Sequence, residues 1–183
     1  KQAQVYTSWA RLIAAHGFVA ITMESEVNRV QESFTEFFNY LDKNGSRHHI
    51  DSRAIGVQAL SANCREATSF IMSEHAFPGI KAAVMYYGMM PSGPFRHDLP
   101  LFFVVAGLDI RQDNYLGLWA EVLKNKSPWT ITLATEMPHA FDAFSDTEAS
   151  KRVIMATLSY WMNQLGPVPP SSNQPSPERA IVA

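Results

Sequence analysis

The sequence predicts an α/β fold: a doubly wound, mostly parallel sheet with helices on both faces. Three observations carry that expectation. Short and almost wholly apolar runs, such as LFFVVAG, read as strands buried on both sides. Between them lie stretches whose apolar residues recur at spacings of three and four, the period of a helix with one buried stripe. The two kinds alternate along the chain, so successive strands are joined by crossovers and run parallel.

The elements follow in order. VYTSWARLIAAHGF places Trp9, Leu12 and Ile13 on one helical face, and Gly17 stops that helix as a C′ glycine. FVAITM is a short buried strand. From Glu26 to Lys43, the set Val27, Val30, Phe34, Phe37, Phe38 and Leu41 predicts an amphipathic helix, and KNGSRHHIDS a loop. RAIGVQAL is the second strand, and SANCREATSFIMSEH a helix with Ala67, Phe70 and Ile71 inward. KAAVMYYG is the third strand. MMPSGPFRHDLP, with three prolines, is a surface loop feeding the strand LFFVVAG. A helix from Gln112 to Asn125, the strand WTITLAT, the loop EMPHAFDAFSD and a last helix ending at Leu165 complete the pattern.

Composition bounds the function. With 183 residues, 46% of them hydrophobic and 17% charged, the chain can bury one sizeable core, expected over residues 1–166. The net charge of −2 and scattered basic residues argue against a nucleic-acid partner. No apolar run approaches the roughly 20 residues that span a bilayer, so no membrane-spanning role is expected. Cys64 is the single cysteine, which excludes an internal disulfide and fits a reducing compartment such as the cytoplasm without fixing one. Past Gly166, PVPPSSNQPSPERAIVA is dominated by proline and serine, so residues 167–183 are expected to form a tail or linker. The chain opens KQAQVY without an initiator methionine, which raises the expectation of residues upstream of Lys1.

In parallel sheets of this kind, sites form beyond the carboxyl ends of the strands. There the chain delivers Ser61 after the second strand, Asp109 in AGLD after the fourth, and His139 in EMPHAF after the fifth. A serine, an acid and a histidine in that order suit nucleophilic acyl transfer: imidazole takes the hydroxyl proton, and a carboxylate orients the imidazole. Each residue alone has a plainer reading. Ser61 or Asp109 can cap a helix, and His139 can be an exposed loop residue. Asp113 is a rival acid four residues on.

ALSANC, LPLFFVVAGLDIRQDN and EMPHAFDAF together resemble the α/β-hydrolase superfamily, and most closely its dienelactone-hydrolase-like and esterase-like branches, over roughly residues 8 to 165. The resemblance implies Ser61 as nucleophile, Asp109 as acid, His139 as base and the N–H of Ala62 as an oxyanion donor. The implied activity is cleavage of an ester or lactone of small or medium size through an acyl-enzyme, with no cofactor. Two departures stand out. The family elbow is G-x-S-x-G, whereas this chain reads Ala59, Leu60, Ser61, Ala62, Asn63. The superfamily also has strands ahead of the first helix found here, and a loop after one of them supplies a second oxyanion donor.

Met89, Met90 and Phe95 are expected to wall the substrate site from the loop 89–98. Cys64, three residues past Ser61, reads as a buried small hydrophobe. The histidines have no metal-ligand spacing, and no metal is expected. The alternative to an enzyme is a hydrolase-fold protein that binds a ligand or partner without turnover. A sheet edge left by absent strands would suit pairing with another chain, including a second copy.

Overall fold

The computed structural model describes residues 2–24, 29–91, 93–110, 115–166 and 178–182. Strands β1 (Val19–Ile21), β2 (Ile50–Leu60), β3 (Ile80–Tyr86), β4 (Leu101–Ala106), β5 (Trp129–Ala134) and β6 (Glu178–Val182) form one sheet in the order β1-β6-β2-β3-β4-β5. Every pairing in it is parallel. The helices are α1 (Gln2–Ala14), α2 (Val30–Asn44), α3 (Asn63–Ile71), α4 (Tyr115–Lys124), the single turn α5 (Phe141–Phe144) and α6 (Glu148–Leu165). A 3₁₀ turn, Gly45–His48, occupies part of the expected loop before β2, which starts three residues earlier than its apolar run suggests.

Alternation along the strands divides the core. On one face Val57, Ala59, Met85, Phe103 and Val105 meet Phe34, Phe38, Phe70 and Leu118 from α2, α3 and α4. On the other, Leu60, Val84, Tyr86, Phe102 and Val104 meet Trp9 and Ile13 of α1 and Leu158, Trp161 and Leu165 of α6. Strand residues one step apart thus serve opposite layers, which makes the sheet doubly wound. Gly56 lets α6 approach: a Cβ there would lie 2.5 Å from the Trp161 ring. Thr147 starts α6 with a reciprocal cap, accepting from the Ser150 N–H and donating its own N–H to Ser150 Oγ, both at 3.1 Å.

The end of the chain departs from expectation. Residues 178–182, expected as part of a Pro/Ser-rich tail, form β6 in the interior of the sheet between β1 and β2. Ala180, Ile181 and Val182 are buried. The physical reason is that three small or branched apolar residues suffice for a short strand when both neighbours are already present. Residues 167–177 of that segment lie outside the described residues, as does Asp113. The sheet edges among the described residues are β1 and β5. No described helix is long and apolar enough to cross a membrane.

Candidate active site

β2 ends at Leu60 and α3 begins at Asn63, so Ser61 and Ala62 alone make the turn between them. Ser61 sits at φ +55°, in the left-handed region that an L-residue enters at a cost of about 1–2 kcal/mol. The turn is held by Ser61 N–H donating to Tyr86 O at 2.9 Å and Cys64 N–H donating to Ser61 O at 3.1 Å. Ser61 is not the helix cap; that position belongs to Ala62, and no side chain caps α3.

The close approach at this turn falls on Gly88, just past β3. A Cβ on Gly88 would lie 2.3 Å from Ser61 O and 2.4 Å from Cys64 Sγ. Ala59 fits its methyl into the core, and Asn63 turns outward. Cys64 is completely buried, donates to Ala59 O and Tyr86 O, and has its thiol pKa pushed up to about 12 by burial.

Asp109 lies in a turn after β4 that is tied to β5 and to the segment following it. Gly107 N–H donates to Ala134 O at 2.8 Å, and Leu108 N–H donates to Met137 O at 3.0 Å. Gly107 has no room for a side chain, because a Cβ would lie 2.3 Å from Thr135 O. The turn carrying the acid and the loop carrying His139 are therefore one hydrogen-bonded unit.

The three side chains meet. His139 Nδ1 lies 2.6 Å from Asp109 Oδ2, and His139 Nε2 lies 2.8 Å from Ser61 Oγ. A carboxylate offers no hydrogen, so Nδ1–H donates to Asp109 and Nε2 accepts from the Ser61 hydroxyl. The Asp109 side chain is 2% exposed and that of His139 29%, so the acid is sheltered while the imidazole reaches the opening.

Beside them is a cavity of about 240 Å³ floored by Ser61, Ala62 and His139, with apolar walls from Val5, Leu60, Ala140, Ala143 and Phe144. The expected wall residues lie elsewhere. Phe95 is buried in the core, its ring centroid 4.6 Å from that of Trp129, because the loop turns its large apolar side chain under the sheet. Met90 packs against that same core layer and accepts from Thr68 Oγ1, and Met89 is exposed. None of the three is among the residues lining the cavity.

Tyr87, Trp9 and Asp142 form a linked set beside the imidazole, of which Tyr87 had no signal in the sequence. Tyr87, at φ +39°, sets its ring edge-on to His139 with centroids 4.6 Å apart and donates its hydroxyl to Asp142 Oδ1. Trp9 Nε1–H donates to Asp142 Oδ2 at 2.7 Å. Asp142 thus joins α1, the end of β3 and the His139 loop. Burial, followed by the Asp142 charge, drives the Tyr87 pKa upward and keeps its phenol protonated. PHAFD held the only sequence signal, an acid three residues after the histidine. Among the described residues no group of three or more His, Cys, Asp or Glu could hold a metal ion.

Neither a protein-family model nor a curated protein sequence matches the chain. Solved structures do. MGS-M1, an α/β-hydrolase enzyme from a Medee basin deep-sea metagenome library, superposes with a TM-score of 0.62 at 17% identity, over 77% of this chain and 66% of its own. A dienelactone hydrolase-like promiscuous phosphotriesterase from metagenomic libraries gives 0.59 at 14%, over 76% and 63%. The esterase LipW from Mycobacterium marinum gives 0.64 at 11%, over 79% and 60%. The chain spans less than two thirds of the length of each of these three. Fold and topology define the class: this is an α/β-hydrolase fold.

Proposed function

We propose that the chain is a serine hydrolase that cleaves a carboxylic ester or lactone of small or medium size, in the manner of the dienelactone-hydrolase-like and esterase-like branches. One observation carries this reading: a strained serine whose hydroxyl is 2.8 Å from an imidazole that is itself 2.6 Å from a sheltered carboxylate. The names of the structural neighbours, esterase and dienelactone hydrolase-like, support the same class.

In this reading Ser61 Oγ attacks the carbonyl carbon while its proton passes to His139 Nε2. Asp109 stabilises the resulting imidazolium and holds its orientation. The N–H of Ala62, unpaired among the described residues, meets the carbonyl oxygen as it becomes an oxyanion. Collapse breaks the C–O bond to the alcohol, which leaves with the proton from His139. Water then gives a proton to His139 as its oxygen bonds to the acyl carbon; the ester bond to Ser61 breaks, His139 returns that proton to Ser61 Oγ, and the acid departs. The cycle needs no cofactor. The apolar walls of the cavity suit a short hydrocarbon or small aromatic group on the substrate.

A fluorophosphonate probe and a panel of p-nitrophenyl esters test the proposal. Labelling and turnover that both disappear in Ser61→Ala are expected. A wild-type chain that neither labels nor turns over an ester would leave the fold as a binding module.

A further inference from the structure

We propose that the hydroxyl of Tyr6, on α1, is a second donor to the oxyanion, acting beside the N–H of Ala62. The proposal rests on the serine-hydrolase reading above and assigns a catalytic role to a residue that no sequence motif marks.

β2 lies between β3 and β6. Its register with β6 runs through Gly56↔Ile181 and Val57↔Val182, so within the described residues β6 stops short of Leu60. Ser61 N–H points to β3, where it donates to Tyr86 O, and in a strand the preceding residue faces the other way. Leu60 therefore presents its N–H and C=O on the side away from β3, and the Tyr6 hydroxyl meets both there. Leu60 N–H donates to Tyr6 Oη at 3.2 Å, and the hydroxyl lies 3.4 Å from Leu60 O.

Asn63 supplies the next step. Its Nδ2 donates to Tyr6 Oη at 2.8 Å. The hydroxyl thus receives one N–H from the residue before Ser61 and another from the residue two after it, which positions it across the mouth of the elbow. Both of its acceptor sites are taken. Among the described residues its single hydrogen has only the contact to Leu60 O, and 3.4 Å is long for an O–H···O bond, whose usual range is about 2.5–3.0 Å. A developing negative charge offers that hydrogen a better partner. Two N–H groups donating into the oxygen also polarise its O–H bond, as chains of hydrogen bonds do.

Placement and protonation agree with the role. Tyr6 lines the same cavity as Ser61, Ala62 and His139. Desolvation raises its pKa to about 12, so the phenol is a donor at neutral pH. The same contacts give Asn63 a purpose at an elbow position where the family has glycine: its side chain holds the tyrosine.

Two variants test this against the activity toward p-nitrophenyl acetate. Tyr6→Phe is expected to lower kcat about 100-fold, the usual loss of one oxyanion donor, with KM little changed and stoichiometric fluorophosphonate labelling retained. An unchanged kcat with full labelling overturns the role of Tyr6 and leaves Ser61 as nucleophile. A wild-type chain that neither labels nor turns over ester overturns both. Tyr6→3,5-difluorotyrosine keeps ring and hydroxyl and ionises at lower pH. It is expected to add an alkaline fall in kcat that the wild type lacks, because a phenolate cannot donate and repels the oxyanion. A pH profile that matches the wild type overturns the proposal even where Tyr6→Phe fails to fold.

Discussion

Ser61 holds a positive φ within a fixed turn: Tyr86 O anchors its N–H, Cys64 N–H donates to its carbonyl, and Gly88, lacking a Cβ, lets the turn lie close to the end of β3. Such strain persists only where surrounding contacts over-determine it. Ser61→Ala keeps those contacts and removes the hydroxyl, so ester turnover is expected to fall by about 10⁴-fold or more with little change in melting temperature. Asp109→Asn is expected to cost about 10⁴-fold in kcat, because an amide at the Nδ1 position allows the wrong imidazole tautomer, and the pre-steady-state acylation rate will show it. Cys64 behaves oppositely. Fully buried and with its thiol pKa near 12, it is expected to resist Ellman's reagent at pH 8 in the native state and to react at once in guanidinium chloride.

Among the elements, the contact of α6 with β2 sets a narrow tolerance. Gly56→Ala would drive a methyl into the Trp161 and Leu165 side chains, at a cost of about 1–3 kcal/mol that thermal melts will report. Thr147→Ala removes half of the reciprocal cap of α6 and is expected to cost about 1 kcal/mol while leaving kcat unchanged, since Thr147 is not among the residues that line the cavity. The elements legible in the sequence are those with long apolar runs: β3 and β4 are buried on both faces, so pattern and position coincide. Ser61, Asp109 and His139 were readable because each follows a run recognisable as a strand, β2, β4 and β5 in turn. Tyr6 was not, because one tyrosine on an amphipathic helix has no local pattern, and its contacts to Leu60 and Asn63 are made across more than fifty residues of chain. Phe95 misled because apolar loop residues look alike whether they line a cavity or turn inward.

At the level of the molecule, β6 shows the limit of reading by composition. A window rich in proline and serine averages away Ala180, Ile181 and Val182, yet a short interior strand needs little more than those. Ile181→Asp would bury an unpaired carboxylate among Trp9, Trp161 and their neighbours, and is expected to cost about 3–5 kcal/mol or abolish cooperative unfolding altogether, as followed by circular dichroism.

The position of β6 also bears on how the chain comes to its native state. It is synthesised after all five of its companions, yet it is the wedge between β1 and β2. Until it emerges from the ribosome, those two strands have nothing to bridge them, and each presents unsatisfied backbone groups to whatever chain is near. Partners so distant along the polypeptide meet slowly. A nascent chain stalled before Glu178 is therefore a species prone to associate with its own kind, with a groove open beside β2, the strand that leads into Ser61.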